Sequence, residues 1–99
     1  MTFIEKTYHF PKNKLLFEIY EVIDDLKGSV HMTDAKNGKV RCVINFGSES
    51  YKISFVLKEN KNYTKVRIET HVDSNYLKET YRVEQIFDML DKKIYTKIL

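Results

Sequence analysis

Few groups in this chain could do chemistry: three histidines, one cysteine and the acids of two helical segments. His9, His31 and His71 stand far apart, with no HExxH or CxxC spacing, so they form no recognisable metal site. His31 and His71 are expected on different strands, as solvated surface side chains. A Cys42 nucleophile would need an activating base and an electropositive niche. Its position in the pattern points to core packing instead. Asp24, Asp25, Glu84, Asp88 and Asp91 have lysine or water for company, and acid–base work needs a carboxylate in a shifted environment. Gly28, Gly38 and Gly47 are isolated, so no phosphate-cradling loop or dinucleotide fingerprint exists. The reading is no catalytic set, no metal and no cofactor, hence no enzyme.

The chain bounds its own size. Ninety-nine residues are expected to make a single domain, 1–99, with a radius of gyration of about 13 Å. Hydrophobic residues make up 42% and charged residues 31%, which suits a globular rather than a disordered chain. Seventeen basic and 14 acidic residues leave a net charge of +3, too mild to imply nucleic acid alone. With one cysteine no intrachain disulfide can form, which favours a reducing, cytoplasmic setting. The opening "MTFIEKTYHF" alternates and is not read as a signal peptide. No apolar run approaches ~20 residues, so no membrane span is expected.

The elements that must position any site follow from periodicity. A first strand over residues 2 to 10 ends at Pro11, which cannot donate to a sheet ladder. Asn13 is the expected N-cap of a helix over residues 14 to 27. Leu15, Ile19, Val22, Ile23 and Leu26 make its apolar face, widened by Leu16 and Tyr20. Glu18, Glu21, Asp24 and Asp25 make its wet side, Phe17 falls among these acids, and Gly28 is expected in the left-handed position beyond the last turn.

Residues 29 to 72 read as a four-strand meander. A three-residue "KNG" loop with a bulge at Gly38 pairs Val30 with Ile44 and Met32 with Cys42. A four-residue "GSES" loop pairs Phe46 with Tyr51, Ile44 with Ile53 and Cys42 with Phe55. The turn at "ENKN" pairs Phe55 with Val66 and Ile53 with Ile68. One face is then Val30, Met32, Val40, Cys42, Ile44, Phe46, Tyr51, Ile53, Phe55, Leu57, Val66, Ile68 and Val72. The other carries His31, Thr33, Arg41, Val43, Asn45, Lys52, Ser54, Val56, Lys58, Tyr63, Lys65, Arg67, Glu69 and His71. A long last helix, capped by Asp73, Ser74 or Asn75, presents Tyr76, Val83, Phe87, Leu90, Ile94 and Ile98 on one face. The fold class is therefore α+β: β-α-β-β-β-β-α, an antiparallel five-stranded sheet with both helices on one face and the first strand beside the last, at the edge.

That element order, together with "YHFPKNKLLFEIYEVI", resembles the opening of helix-grip proteins, the superfamily of START domains, birch-pollen allergens and polyketide cyclases. Pro11, Asn13 and Phe17 fill the places of that family's proline turn, cap and early aromatic. The TATA-box-binding half-domain is a second resemblance at the level of topology. The helix-grip resemblance implies a small apolar ligand between the last helix and the sheet, with Tyr20, Tyr51, Phe55, Phe87 and Leu90 as its lining; the plainer reading of those five is core. Phe17, Leu77, Tyr81 and Tyr95 are candidates for a homodimer or partner interface. The alternative function is nucleic-acid binding through Arg41, Lys52, Tyr63, Lys65 and Arg67 on the wet sheet face.

Overall fold

The computed structural model describes residues 2–71 and 76–96, with side chains from 78 onward in the last helix. Five strands and two helices follow one another: β1 (Thr2–Tyr8), α1 (Lys12–Asp25), β2 (Ser29–Asp34), β3 (Lys39–Phe46), β4 (Glu49–Glu59), β5 (Thr64–Thr70) and α2 (Tyr76–Thr96). The strands form one antiparallel sheet in the order β1-β5-β4-β3-β2, so the first strand closes against the last at an edge. Both helices cover the same face. Leu15, Leu16, Ile19, Val22 and Ile23 of α1 share one buried cluster with Val83, Ile86, Phe87, Leu90 and Ile94 of α2 and the inward residues of the sheet. Val72, the candidate caps Asp73, Ser74 and Asn75, the side chains of Tyr76 and Leu77, and Ile98 lie outside the described residues.

Helix α1 starts and stops differently from expectation. It begins two residues early, with Pro11 at the N-cap and no side-chain cap from Asn13. The Lys12 amide instead donates to Glu59 Oε2 at 2.8 Å, across the sheet. A carboxylate there satisfies an orphan donor and complements the positive helix end. At the other end Lys27 takes the left-handed position, with φ +53°, and Gly28 does not. The Lys27 amide donates to the Asp24 carbonyl and the Gly28 amide to the Ile23 carbonyl, the two bonds of a Schellman motif. A lysine is strained in this region where glycine is not. Lys27→Gly should therefore raise stability by about 0.5–1 kcal/mol, read as a higher urea midpoint at unchanged slope.

The side of α1 expected to be wet faces α2. Glu18 is buried, and Lys93 of α2 lies 2.7 Å from Asp25 and 3.9 Å from Glu21. Phe17, by contrast, stands 59% exposed.

The sheet keeps most of the expected faces but not the expected pairing. Ile44 pairs with Tyr51, Cys42 with Ile53, and Val40 with Phe55, two residues from the anticipated register. Phe55 likewise pairs with Ile68 and Leu57 with Val66. The β3–β4 turn contains Gly47 and Ser48 alone, since Phe46 pairs with Glu49. A shift by two keeps each side chain on its own face, so the burial pattern survives the difference. On β2 the shift is by two at Val30 and by one from Met32 onward. Val30 pairs with Cys42, but the register slips between Val30 and Met32, so Met32 pairs with Arg41 and Thr33 with Val40. Met32 is thus on the outer face, and Thr33 on the inner, where the Tyr20 hydroxyl donates to it at 3.3 Å. Residues 35–38 connect β2 to β3, with Gly38 left-handed as anticipated, at φ +67°. β2 is an edge strand whose residues are exposed or half-buried, Val30 included.

Polar contacts also bind α2 to the sheet. The Tyr8 hydroxyl donates to Asp91 Oδ1 at 2.6 Å, and the Lys6 ammonium sits 2.5 Å from Asp91 Oδ2. The Thr70 hydroxyl donates to the buried Glu79 carboxylate. Arg82 lies 4.6 Å over the Phe46 ring and 3.3 Å from Glu49, which Lys78 also pairs.

Candidate functional site

The residues expected to line a ligand pocket are in the core. Tyr51 is 6% exposed, Phe55 0%, Phe87 3% and Leu90 0%. Tyr20 is half-buried at the β2 edge. Phe46 and Tyr51 meet edge to face with centroids 5.8 Å apart, filling the space near the β3–β4 turn. Interiors packed in this way leave few voids larger than water.

An opening lies on the opposite face of the sheet. A groove of about 520 Å³ is bordered by His31, Arg41, Val43, Lys52, Ser54 and His71, with the Cys42 and Ile53 chain segments running between them. Strand register explains why these side chains gather. Arg41 pairs with Ser54 and Val43 with Lys52, so all four point outward from adjacent strands. His71 follows β5, and its amide donates to the Lys52 carbonyl at 3.2 Å. His31, at the slip in β2, borders the groove beside them. His71 is more than a solvated side chain: its Nε2 lies 2.6 Å from Ser54 Oγ. Acyl transfer would also need a group that orients the imidazole and donors for an oxyanion. Among the described residues no acid hydrogen-bonds to His71 and no acid lines the groove. Nor does any cluster of three or more His, Cys, Asp or Glu among the described residues suit a metal ion.

No family model matches the chain, and no curated protein does. Solved structures do. CalU16 from Micromonospora echinospora superposes with a TM-score of 0.66 at 12% identity, over 93% of this chain and 72% of that one. Ara h 8.0201 superposes with a TM-score of 0.66 at 11% identity, over 96% of this chain and 97% of that one. DynU16 of the dynemicin biosynthetic locus gives 0.63 at 7% identity, over 97% of this chain and 47% of that one. The chain has the helix-grip fold. One helix lies between β1 and β2 and one follows β5.

Within this helix-grip domain the basic residues of the outer face fall into separate places. Arg41 and Lys52 border the groove. Arg67 is engaged elsewhere, 2.8 Å from Glu69 and stacked 3.7 Å over the Phe3 ring. Lys65 lies with Arg67, Glu5 and Glu69 around a smaller dimple, and Tyr63 stands near the β4–β5 loop beside His9 and Pro11. The α2 tyrosines are likewise apart. Tyr95, 52% exposed, packs edge to face on Phe10 with centroids 6.1 Å apart. Tyr81, 61% exposed, lies beside Arg82. Fourteen positions of helix separate the two tyrosines, about 21 Å.

The one thiol of the helix-grip core is closed to chemistry. Cys42 is buried, and that burial pushes its thiol up to about 12 from an ordinary 9.0. Burial, and then the bond to Asp91, also raises the Tyr8 hydroxyl well above its ordinary range. Both groups hold their protons more tightly when folded. Their contribution to stability is complete below pH about 9 and is lost as pH rises, because the unfolded chain ionises first. The urea midpoint should therefore fall between pH 9 and 12. At pH 8 a thiol reagent should label Cys42 only in denaturant.

Proposed function

We propose that this protein is a small non-catalytic binding domain whose ligand lies in the groove on the outer face of the sheet. One observation carries the reading. The roomy, open site is bordered by Arg41, Val43, Lys52 and His71, while the expected interior lining of Tyr51, Phe55, Phe87 and Leu90 is buried. Ligand sites are concave, mostly apolar and furnished with a few convergent polar groups, which describes the groove and not the interior. The single buried cysteine supports a cytoplasmic setting. The apolar ligand between α2 and the sheet, as the helix-grip resemblance implies, requires the α2 contacts to open.

Native mass spectrometry of the purified chain incubated with octanoate tests the proposal. The expected result is a monomer with a one-to-one adduct, lost in Val43→Glu and kept in Phe87→Leu. Loss in Phe87→Leu with retention in Val43→Glu would overturn it in favour of the interior. The non-catalytic part is tested with p-nitrophenyl acetate, which wild type and Ser54→Ala should hydrolyse at the same rate. A drop in Ser54→Ala would make the Ser54–His71 pair catalytic.

A second reading, self-association, is favoured by the exposure of Phe17, Tyr81 and Tyr95. It predicts a dimer at high concentration that Tyr81→Lys dissociates. Nucleic acid on the sheet face is the third reading, with Arg41, Lys52 and Lys65 exposed there and Arg67 held by Glu69.

A further inference from the structure

We infer that the outer groove recognises an organic anion, a carboxylate or phosphate ester on an apolar body, with Arg41 and Lys52 binding the charge. The inference rests on the groove being the binding surface and names the class of ligand it takes.

Several basic side chains of this sheet are matched or flanked by acids: Lys6 by Asp91, Arg67 by Glu69, and Lys58 and Lys65 by the Glu5 and Glu69 that line the smaller dimple with them. Arg41 and Lys52 are not. Among the described residues neither makes an ion pair or a side-chain hydrogen bond. Both border the same groove, and no carboxylate borders it with them. Two uncompensated cations at the rim of a concave, partly apolar site attract an anion, because low-dielectric walls focus their field.

Geometry adds selectivity. Arg41 pairs with Ser54, and Lys52 is two residues back along the same strand. The two cations are therefore diagonal neighbours on one face, with Cα atoms roughly 7–8 Å apart. An anionic head of two or three oxygens spans such a gap with one oxygen toward each cation. A guanidinium fork suits the planar or trigonal edge of that head. Val43, opposite Lys52, supplies apolar floor, and His31 closes the β2 side. Ser54 and His71, already bonded at 2.6 Å, offer a polar pair on the far side. A hydrated inorganic ion would leave the Val43 floor unused, so the complementary ligand carries its charge on an apolar body.

The test is a titration of the isotope-labelled full chain followed through its amide resonances. Three ligands of similar body are used: benzoate, phenyl phosphate and uncharged benzyl alcohol. The inference expects saturable shifts at Val43, Lys52, Ser54 and His71 with one or both anions, and affinity at least ten-fold weaker for benzyl alcohol. Arg41→Gln and Lys52→Gln should each weaken the anion about ten-fold without moving the thermal midpoint, since both side chains are exposed and unpaired. Whichever of benzoate and phenyl phosphate binds more tightly identifies the head group. Equal binding of benzyl alcohol at the same residues would overturn the anion inference and leave the groove as the binding surface. Anion shifts confined to Lys65, Arg67 and Lys58, or to Leu90 and its neighbours, would overturn both.

Discussion

Phe55→Ala should destabilise the domain by about 3–5 kcal/mol, the cost of emptying a fully packed aromatic site. Phe55 is 0% exposed, pairs with Val40 on one side and Ile68 on the other, and lies in the cluster that both helices close. Domains of this size have only about 5–15 kcal/mol of net stability, so much of it would go. The thermal midpoint should drop by more than about 10 °C. Phe55 is also one of the residues that the helix-grip resemblance would place in a ligand cavity. A side chain lining a roomy cavity has fewer partners to lose. A measured cost below about 1 kcal/mol would mean that the interior has space, and it would move the ligand back beneath α2.

Gly38→Ala should cost about 3 kcal/mol, although the change adds one methyl group in a turn. Two effects add there. With φ at +67°, Gly38 lies in the left-handed region, which a Cβ disfavours. A Cβ at Gly38 would also fall 2.4 Å from the Leu57 carbonyl oxygen. That strand backbone cannot retreat cheaply, since the Leu57 amide donates to the Gly38 carbonyl at 2.7 Å. Gly47 provides the control. Its φ is +65°, but a Cβ added there would meet nothing within 4 Å, so Gly47→Ala should cost about 1 kcal/mol. Equal urea midpoints for the two variants would show that the close approach of the β2–β3 turn to β4 carries no weight.

The architecture is legible because its signals are local. Alternation along β3, β4 and β5 reports which residues face the helices, and the i, i+4 spacing from Leu15 to Ile23 reports a helix face. Registers are not legible to the residue. A pairing shifted by two leaves Ile44 and Phe55 facing the same way, so hydrophobic pattern alone cannot choose between Ile44–Tyr51 and Ile44–Ile53. The β2 slip is hidden for a related reason: Thr33 and Met32 differ too little in an edge strand that buries little on either face. Long-range partners are silent altogether. Glu59 serves the start of α1 from 47 positions away, and Asn13 is the better local candidate. Lys27 in the left-handed position defeats the expectation that glycine takes it, because Gly28 stands one residue further on.

The candidate site is half visible in the sequence. Alternation assigns Arg41, Lys52 and His71 to the outer face, and they are there. Their grouping around one groove depends on the diagonal between β3 and β4 and on where the chain leaves β5, which no local pattern encodes. The Ser54–His71 contact joins residues 17 apart through that same register. The interior departs from expectation in the other direction. Tyr51, Phe55, Phe87 and Leu90 gather as expected, but aromatic residues that could line a cavity can equally fill it, and composition does not distinguish the two.

The most direct test compares reporters on the two faces of the sheet in one experiment. Methyl-labelled full chain is titrated with octanoate, and the methyl signals of Val43 on the outer face are followed beside those of Ile68, Ile86 and Leu90 in the core. Binding in the groove predicts saturable shifts at Val43, with the three core residues unmoved. Saturable shifts at Ile68, Ile86 and Leu90, with Val43 still, would contradict it and place the ligand between α2 and the sheet.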